Sequence, residues 1–261
     1  MKIVTLVENT TNKKLKAVHG LSFYVETKKH KLLFDLGPDD TIFENAKKLN
    51  INLDDIDTVI ISHGHYDHGG ALKCFLKINN KAKVYIQDKA YESHYSKVLG
   101  LMINIGLDKE TKNNENIVLL NGDYRIDEEL EIFVSKKKDL IDSDANKSLY
   151  KDDGLDDFKH EQNLLINGKV LLMGCAHSGV IAILESIDHK LDYCIGGFHV
   201  YSPSARKTVP MSQLEMLSNE LNSYKDVKFY TCHCTGKQAF DYLSNIHENV
   251  KYIACGDELN I

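Results

Sequence analysis

The sequence predicts a mixed α/β fold, and three observations carry the expectation. Short apolar stretches bounded by turn residues recur along the chain with the two-residue period of strands. Stretches with the 3.6-residue period of amphipathic helices lie between them. Three times, a strand pattern runs through histidine and glycine into a helix pattern, an arrangement that lets side chains from separate strands converge on one sheet edge.

Strand patterns come first, at residues 2–7, 21–27, 31–35 and 58–62, with a helix expected at 41–49 between the last two. The first strand, histidine, glycine and helix unit spans 59–76, where Gly69 and Gly70 let the loop turn into a helix carrying Leu72, Phe75 and Leu76. Residues 88–161 mix a helical pattern around His94 and Tyr95 with strands near 117–120 and 130–135 and a charged run over 136–160. Because this segment lies between two groups of candidate ligands, it is expected to be an insertion covering the site as a lid; for its charged part a solvated surface excursion is the alternative. A hairpin is expected at 163–173, with Asn167 and Gly168 supplying the positive-φ turn. The second unit follows at 170–187, Pro210 opens a helix over 211–221, and the third unit runs from 229 into a helix at 237–246. The whole of residues 1–261 is expected to form one domain.

Composition narrows the function. The chain is 43% hydrophobic and 27% charged with only three prolines, which excludes disorder, collagen and coiled coil. Its 32 basic and 38 acidic residues give a net charge of −6, with no global attraction to nucleic acid or to an anionic membrane. Arg125 and Arg206 are the only arginines, so few planar forks are available for bidentate contacts. The first residues lack the apolar core of a signal peptide, and no stretch approaches the roughly 20 apolar residues that span a bilayer. The six cysteines (Cys74, Cys175, Cys194, Cys232, Cys234 and Cys255) show no disulfide spacing, so a soluble cytoplasmic protein with free thiols is expected.

The strongest feature is Ser62-His63-Gly64-His65-Tyr66-Asp67-His68-Gly69-Gly70. At this chain's composition, His-x-His-x-Asp-His is expected by chance about 0.002 times, so it needs an explanation. Imidazole nitrogen and carboxylate oxygen are ligands that zinc, iron, manganese and cobalt all accept. A tight loop can point alternate side chains to opposite sides, which suits two adjacent metals better than one structural ion.

These residues resemble the signature of the metallo-β-lactamase superfamily, whose His-x-His-x-Asp-His loop follows a strand and is preceded by a strand ending like Phe34-Asp35-Leu36-Gly37. The family's later lone histidine is matched by His177 in Gly174-Cys175-Ala176-His177-Ser178-Gly179, and its last ligand by His233 in Thr231-Cys232-His233-Cys234-Thr235-Gly236. The resemblance implies a four-layer αββα sandwich with the site along one edge of two mixed sheets. It also implies two divalent metal ions, zinc first among the candidates with iron, manganese and cobalt acceptable. His63, His65 and His177 would hold one ion, and Asp67, His68 and His233 the other. Asp35 would orient a ligand imidazole without touching metal. One departure stands out: where the family places a bridging Asp, the strand reads Tyr193-Cys194-Ile195-Gly196-Gly197-Phe198-His199. His199 is then either a replacement ligand or an acid, base or oxyanion donor.

The Gly-Gly-Phe-His, Gly-Cys-Ala-His-Ser-Gly and Cys-His-Cys-Thr-Gly segments are similar to one branch of the superfamily, the dihydropterin-ribofuranosylaminobenzene phosphate synthases and their bacterial relatives. What the resemblance implies is a hydrolase that turns a metal-activated water on a small ester, lactone or phosphodiester-type substrate, with Asp67 and His199 as catalytic residues. A transferase that displaces pyrophosphate and a metal-holding small-molecule sensor are the alternatives. Flavin-linked oxygen reduction is disfavoured by His65, where such members carry Glu, and RNA processing by the acidic surface.

The remaining candidates have plainer readings. Cys175, Cys232 and Cys234 adjoin ligand histidines, where a thiolate could compete for zinc, though packing as small apolar side chains is simpler. Cys74, Cys194 and Cys255 are expected in the core. His19, His30, His94, His160, His189 and His247 lack ligand spacing and read as surface or internally hydrogen-bonded histidines. Arg206 and Lys207 could meet an anionic small-molecule substrate, and Tyr66, Phe198 and Tyr201 could wall its pocket.

Overall fold

The computed structural model describes residues 1–137, 141–152 and 154–261. They fall into two compact units, one comprising Met1–Glu92, Ile105–Gly122 and Ile253–Ile261, the other Ser93–Asn104 and Asp123–Tyr252.

The first unit is built on a seven-stranded mixed sheet in the order Glu258–Asn260, Lys2–Val7, Ser22–Glu26, Lys31–Phe34, Thr58–Ile60, Lys83–Gln87, Ile117–Leu120. The first four strands pair antiparallel and the last four parallel, so the crossovers carry the helices Thr41–Lys48 and Leu72–Ile78. Ile42 and Ala46 of one helix and Leu72 and Phe75 of the other join Val4, Leu6, Leu33, Val59 and Val84 of the strands in one buried cluster. Ile3, Phe23, Val25, Leu32 and Phe34 alternate with those strand residues and are fully buried too, so both faces of the sheet are covered. Leu32, Leu33 and Phe34 of the strand 31–34 therefore read as a continuous apolar run.

Glycine decides how the His-x-His-x-Asp-His loop leaves this sheet. A Cβ on Gly70 would lie 2.3 Å from the Pro38 carbonyl oxygen and 2.5 Å from that of Tyr66, and backbone atoms cannot swing away as a side-chain tip can. We expect Gly70→Ala to destabilise the protein by about 2 kcal/mol or more, an overpacking cost, read as a lowered urea midpoint at unchanged slope.

The second unit carries its own seven-stranded sheet, ordered Val250–Tyr252, Lys228–Thr231, Tyr193–Gly196, Val170–Leu172, Asn163–Ile166, Leu130–Phe133, Tyr124–Arg125. The strands from 170–172 to 250–252 run parallel. Their crossover helices Val180–Leu184, Met211–Leu221 and Lys237–Ile246 bury Ile183, Leu184, Leu214, Leu217, Ala239 and Leu243 against Leu171, Cys194, Phe229 and Val250. The hairpin at 163–172 turns on Asn167 (φ 52°) and Gly168 (φ 64°), as its Asn-Gly pair requires.

Residues 88–161 divide between these frames. Ile117–Leu120 is an edge strand of the first sheet and Leu130–Phe133 a strand of the second. His94–Val98 is a strand, not the expected helix: it pairs with Leu101–Asn104 across Leu99 and Gly100, both at positive φ, and with Leu149–Lys151 on its other side. Those two ladders use backbone groups that a helix would have satisfied internally. Part of the charged run, residues 138–140 and 153, lies outside the described residues. Among the described residues no helix is long and apolar enough to cross a membrane.

Candidate metal centre

In the first unit the strand 31–34 ends at Asp35, whose backbone takes the left-handed conformation at φ 62° and whose side chain is fully buried. One carboxylate oxygen accepts the Ser62 N–H at 2.7 Å; the other accepts the Ser62 hydroxyl at 2.7 Å and meets His68 Nδ1 at 2.6 Å. The Ser62 oxygen in turn meets His63 Nδ1 at 2.8 Å. A carboxylate accepts only, so His68 donates from Nδ1; the Ser62 proton is spent on Asp35, so His63 also donates from Nδ1. Both rings therefore carry their lone pair on Nε2, the nitrogen a metal would take. Asp35 thus fixes the orientation of the His68 imidazole.

His63, His65 and His68 lie together, with ring centroids 4.6 Å apart for the first two and 4.1 Å for His63 and His68. His68 Nε2 and Asp67 Oδ2 are 3.7 Å apart. Two donors on one tetrahedral ion with bonds of roughly 2.1 Å stand about 3.4 Å apart, so the pair fits a shared cation closely. His19 was read as an ordinary histidine, yet its Nε2 lies 3.2 Å from the same Asp67 oxygen. No spacing signal links the two in the sequence.

The second unit holds the other predicted residues at the ends of its parallel strands. His177 Nδ1 lies 3.0 Å from Asn146 Oδ1, while Asn146 Nδ2 donates to the His177 carbonyl at 2.9 Å. The second bond fixes the amide's orientation, so His177 too donates from Nδ1 and presents Nε2. Glu161 accepts the backbone N–H groups of His177 at 2.6 Å and Ser178 at 2.8 Å; burial pushes its carboxyl up against the pull of these bonds. Phe158 stacks flat on the His177 ring at 4.5 Å. Asn146, Phe158 and Glu161 come from the segment read as a lid, and none carried a recognisable spacing.

Ala176, His199 and His233 all have positive φ, at 53°, 47° and 50°. Together with Asp35 they place strained backbone at the strand-to-turn junctions that bear the candidate ligands, a pattern typical of functional sites. The His199 ring is 4.0 Å from that of His177 and is 5% exposed. Cys175 and Cys234 are buried beside it, whereas Cys74, expected in the core, is exposed because its helix turns that face to solvent. Burial opposes ionisation of the Cys234 thiol, but a hydrogen bond with Cys175 and the imidazoles of His199 and His233 hold it well below the ordinary thiol range. All six cysteines are free thiols. Phe198 packs edge-on against Phe229 in the core; Tyr66 is exposed, and Arg206 sits in an exposed turn.

His94 and His160, also read as ordinary, form a buried cluster around Asp156, whose Oδ2 lies 2.8 Å from His94 Nδ1 and 3.2 Å from His160 Nε2. Burial opposes the Asp156 charge, yet His160 and His94 hold its pKa far below the carboxylate range, while burial pushes His160 below the ordinary 6.5. In both cases the unfolded chain takes up the proton at higher pH than the folded one, so both contributions are lost as pH falls. We expect stability to decline from pH 6.5 downward as His160 loses its advantage, and again below 3.8 as Asp156 does. Urea midpoints taken against pH should show a shallower first decline in His160→Asn.

Comparison with known proteins follows the same lines. The model of the metallo-β-lactamase superfamily matches residues 15–140. A solved structure of a metal-dependent hydrolase of the β-lactamase superfamily superposes with a TM-score of 0.82, covering 100% of this chain and 99% of its own at 24% identity. The fold is therefore the metallo-β-lactamase fold, mixed α/β as expected from the sequence. An uncharacterized protein of Methanocaldococcus jannaschii is 28% identical over 95% of this chain and 96% of its own length. From the same organism, 7,8-dihydropterin-6-methyl-4-(β-D-ribofuranosyl)-aminobenzene-5'-phosphate synthase is 29% identical over 92% of this chain and 89% of its own. The chain is thus similar to the metallo-β-lactamase superfamily in the residues its model matches and in its fold, and its His, Asp and Cys groups are compatible with divalent-metal binding.

Proposed function

We propose that the protein is a metal-dependent hydrolase of a small ester, lactone or phosphodiester-type substrate. His63, His65 and His177 hold one divalent ion, zinc by preference, and Asp67, His68 and His233 a second. The observation that carries this reading is the shared tautomer of His63, His68 and His177: in each, Nδ1 is committed to a protein oxygen, which leaves Nε2 as the coordinating nitrogen. Divalent ions bound there would acidify water and polarise a substrate oxygen.

The chain's own residues do the rest. Asp35 and Asn146 hold two imidazoles in register, and Glu161 clamps the turn that carries His177. Asp67 brings a carboxylate that can also hold a proton-bearing water in line, and His199 stands at the strand end where the family's bridging Asp is missing. The turn bearing Arg206 and Lys207 offers positive charge to an anionic small molecule. No nucleic-acid or membrane partner enters the proposal, and the free thiols accord with a cytoplasmic setting.

The test is a panel of chromogenic ester, lactone and phosphodiester reporters given to protein as purified, after chelation, and after zinc or manganese is returned. Turnover lost on chelation and regained with metal is the expected result; turnover unaffected by chelation overturns the reading. A second reading, a dihydropterin-type transferase displacing pyrophosphate, is favoured by the 29% identity to the synthase. It leads if metal is retained and every reporter is left intact.

A further inference from the structure

The strands 170–172, 193–196 and 228–231 are parallel neighbours, so the residues just past their C-terminal ends stand side by side. Those residues include Cys175, His199 and Cys234. One sulfur from each cysteine and a ring nitrogen of His199 all lie within 4.8 Å of one another, and the three residues are 3%, 5% and 2% exposed.

Three features build this cluster. Among the described residues, neither buried ring nitrogen of His199 has a hydrogen-bond partner at ordinary geometry, and a buried polar ring left so is costly enough that natural proteins rarely keep one. The backbone is held to aim that ring: His199 sits at φ 47°, its carbonyl accepts the Ser143 hydroxyl at 2.6 Å, and the preceding Phe198 N–H donates to Thr235 Oγ1 at 2.9 Å. Room for sulfur is reserved as well, since a Cβ on Gly197 would fall 2.3 Å from Cys234 Sγ. Two thiols and an imidazole in a dry pocket are the donors that zinc and its borderline-soft neighbours prefer over magnesium or calcium.

We propose that Cys175, Cys234 and His199 form a thiolate-bearing metal position, in which His199 is a ligand and not a free acid or base. The proposal rests on the reading that this chain binds divalent metal, and it adds sulfur to the donors of one of the two proposed ions, otherwise nitrogen and oxygen, without adding a third ion. It also answers the missing bridging Asp: charge neutralisation that a carboxylate would have supplied comes from thiolates on the two flanking strands. Cys232 lies outside the cluster and serves as an internal control.

Cobalt(II) is the probe, because it takes zinc sites and reports its ligands. The full-length chain, freed of metal and reloaded with cobalt, is expected to show visible ligand-field bands and, in addition, a near-ultraviolet sulfur-to-cobalt charge-transfer band. That band should fall by about half in Cys175→Ser and in Cys234→Ser and vanish in the double variant, one thiolate supplying each share, while Cys232→Ser leaves it unchanged. Circular dichroism checks that each variant is folded. Ligand-field bands without a charge-transfer band in the wild-type protein overturn the thiolate site and leave the metal reading standing. Failure to retain cobalt at all overturns both.

Discussion

Asp67→Ala is expected to lower reporter hydrolysis by about 10³-fold while the protein stays folded. The several kcal/mol of transition-state stabilisation that a bound ion supplies correspond to about that factor, at 1.36 kcal/mol per tenfold. Asp67 is 8% exposed, lies in the first turn of the short helix Tyr66–Gly69, and pairs with His19 and His68 through the same oxygen, 3.2 and 3.7 Å away. Alanine suits that turn, so the fold has little to lose. His65→Ala should behave alike. Steady-state rates measured with circular dichroism on the same samples check the expectation, and wild-type turnover in a folded Asp67→Ala would remove this carboxylate from the chemistry.

Asp35→Ala is expected to do two things at once. It strips an acceptor from the Ser62 N–H, the Ser62 hydroxyl and His68 Nδ1, all buried. Stability should fall by about 3 kcal/mol, the cost of leaving buried partners unmatched. Because His68 is then free to rotate or change tautomer, metal affinity should fall about 10- to 100-fold. Urea unfolding and competition with a coloured chelator separate the two effects. A stability loss with unchanged metal affinity would mean that Asp35 braces the loop without orienting a ligand.

Much of this architecture could be read before any coordinates, and the physical reasons differ by element. The helices at 41–48, 211–221 and 237–246 each lay one apolar stripe on a sheet, so their periodicity is explicit in the sequence. The 163–172 hairpin is announced by Asn167-Gly168, because only a positive-φ pair closes so short a turn. The His63 to His68 loop is legible because its candidate ligands are close in the chain.

What escaped was assembled from a distance. Asn146 orients His177 from 31 residues away, and Glu161 clamps the same turn from 16. His94 and His160 each looked ordinary; only Asp156, 62 residues from the first, makes them one cluster. The strand 94–98 has little alternation in its sequence, and its partners at 101–104 and 149–151 decide its state. The sulfur neighbours of His199 belong to other strands, so their proximity could not be seen from spacing.

The account stands or falls on metal, and the direct measurement is metal content by elemental mass spectrometry on untagged protein, wild type beside Asp67→Ala. The account predicts about two divalent ions per chain in the wild type and about one in the variant, as expected for a carboxylate that serves one of two neighbouring ions. A wild-type protein that holds no divalent metal, or a single ion that Asp67→Ala leaves in place, would contradict it.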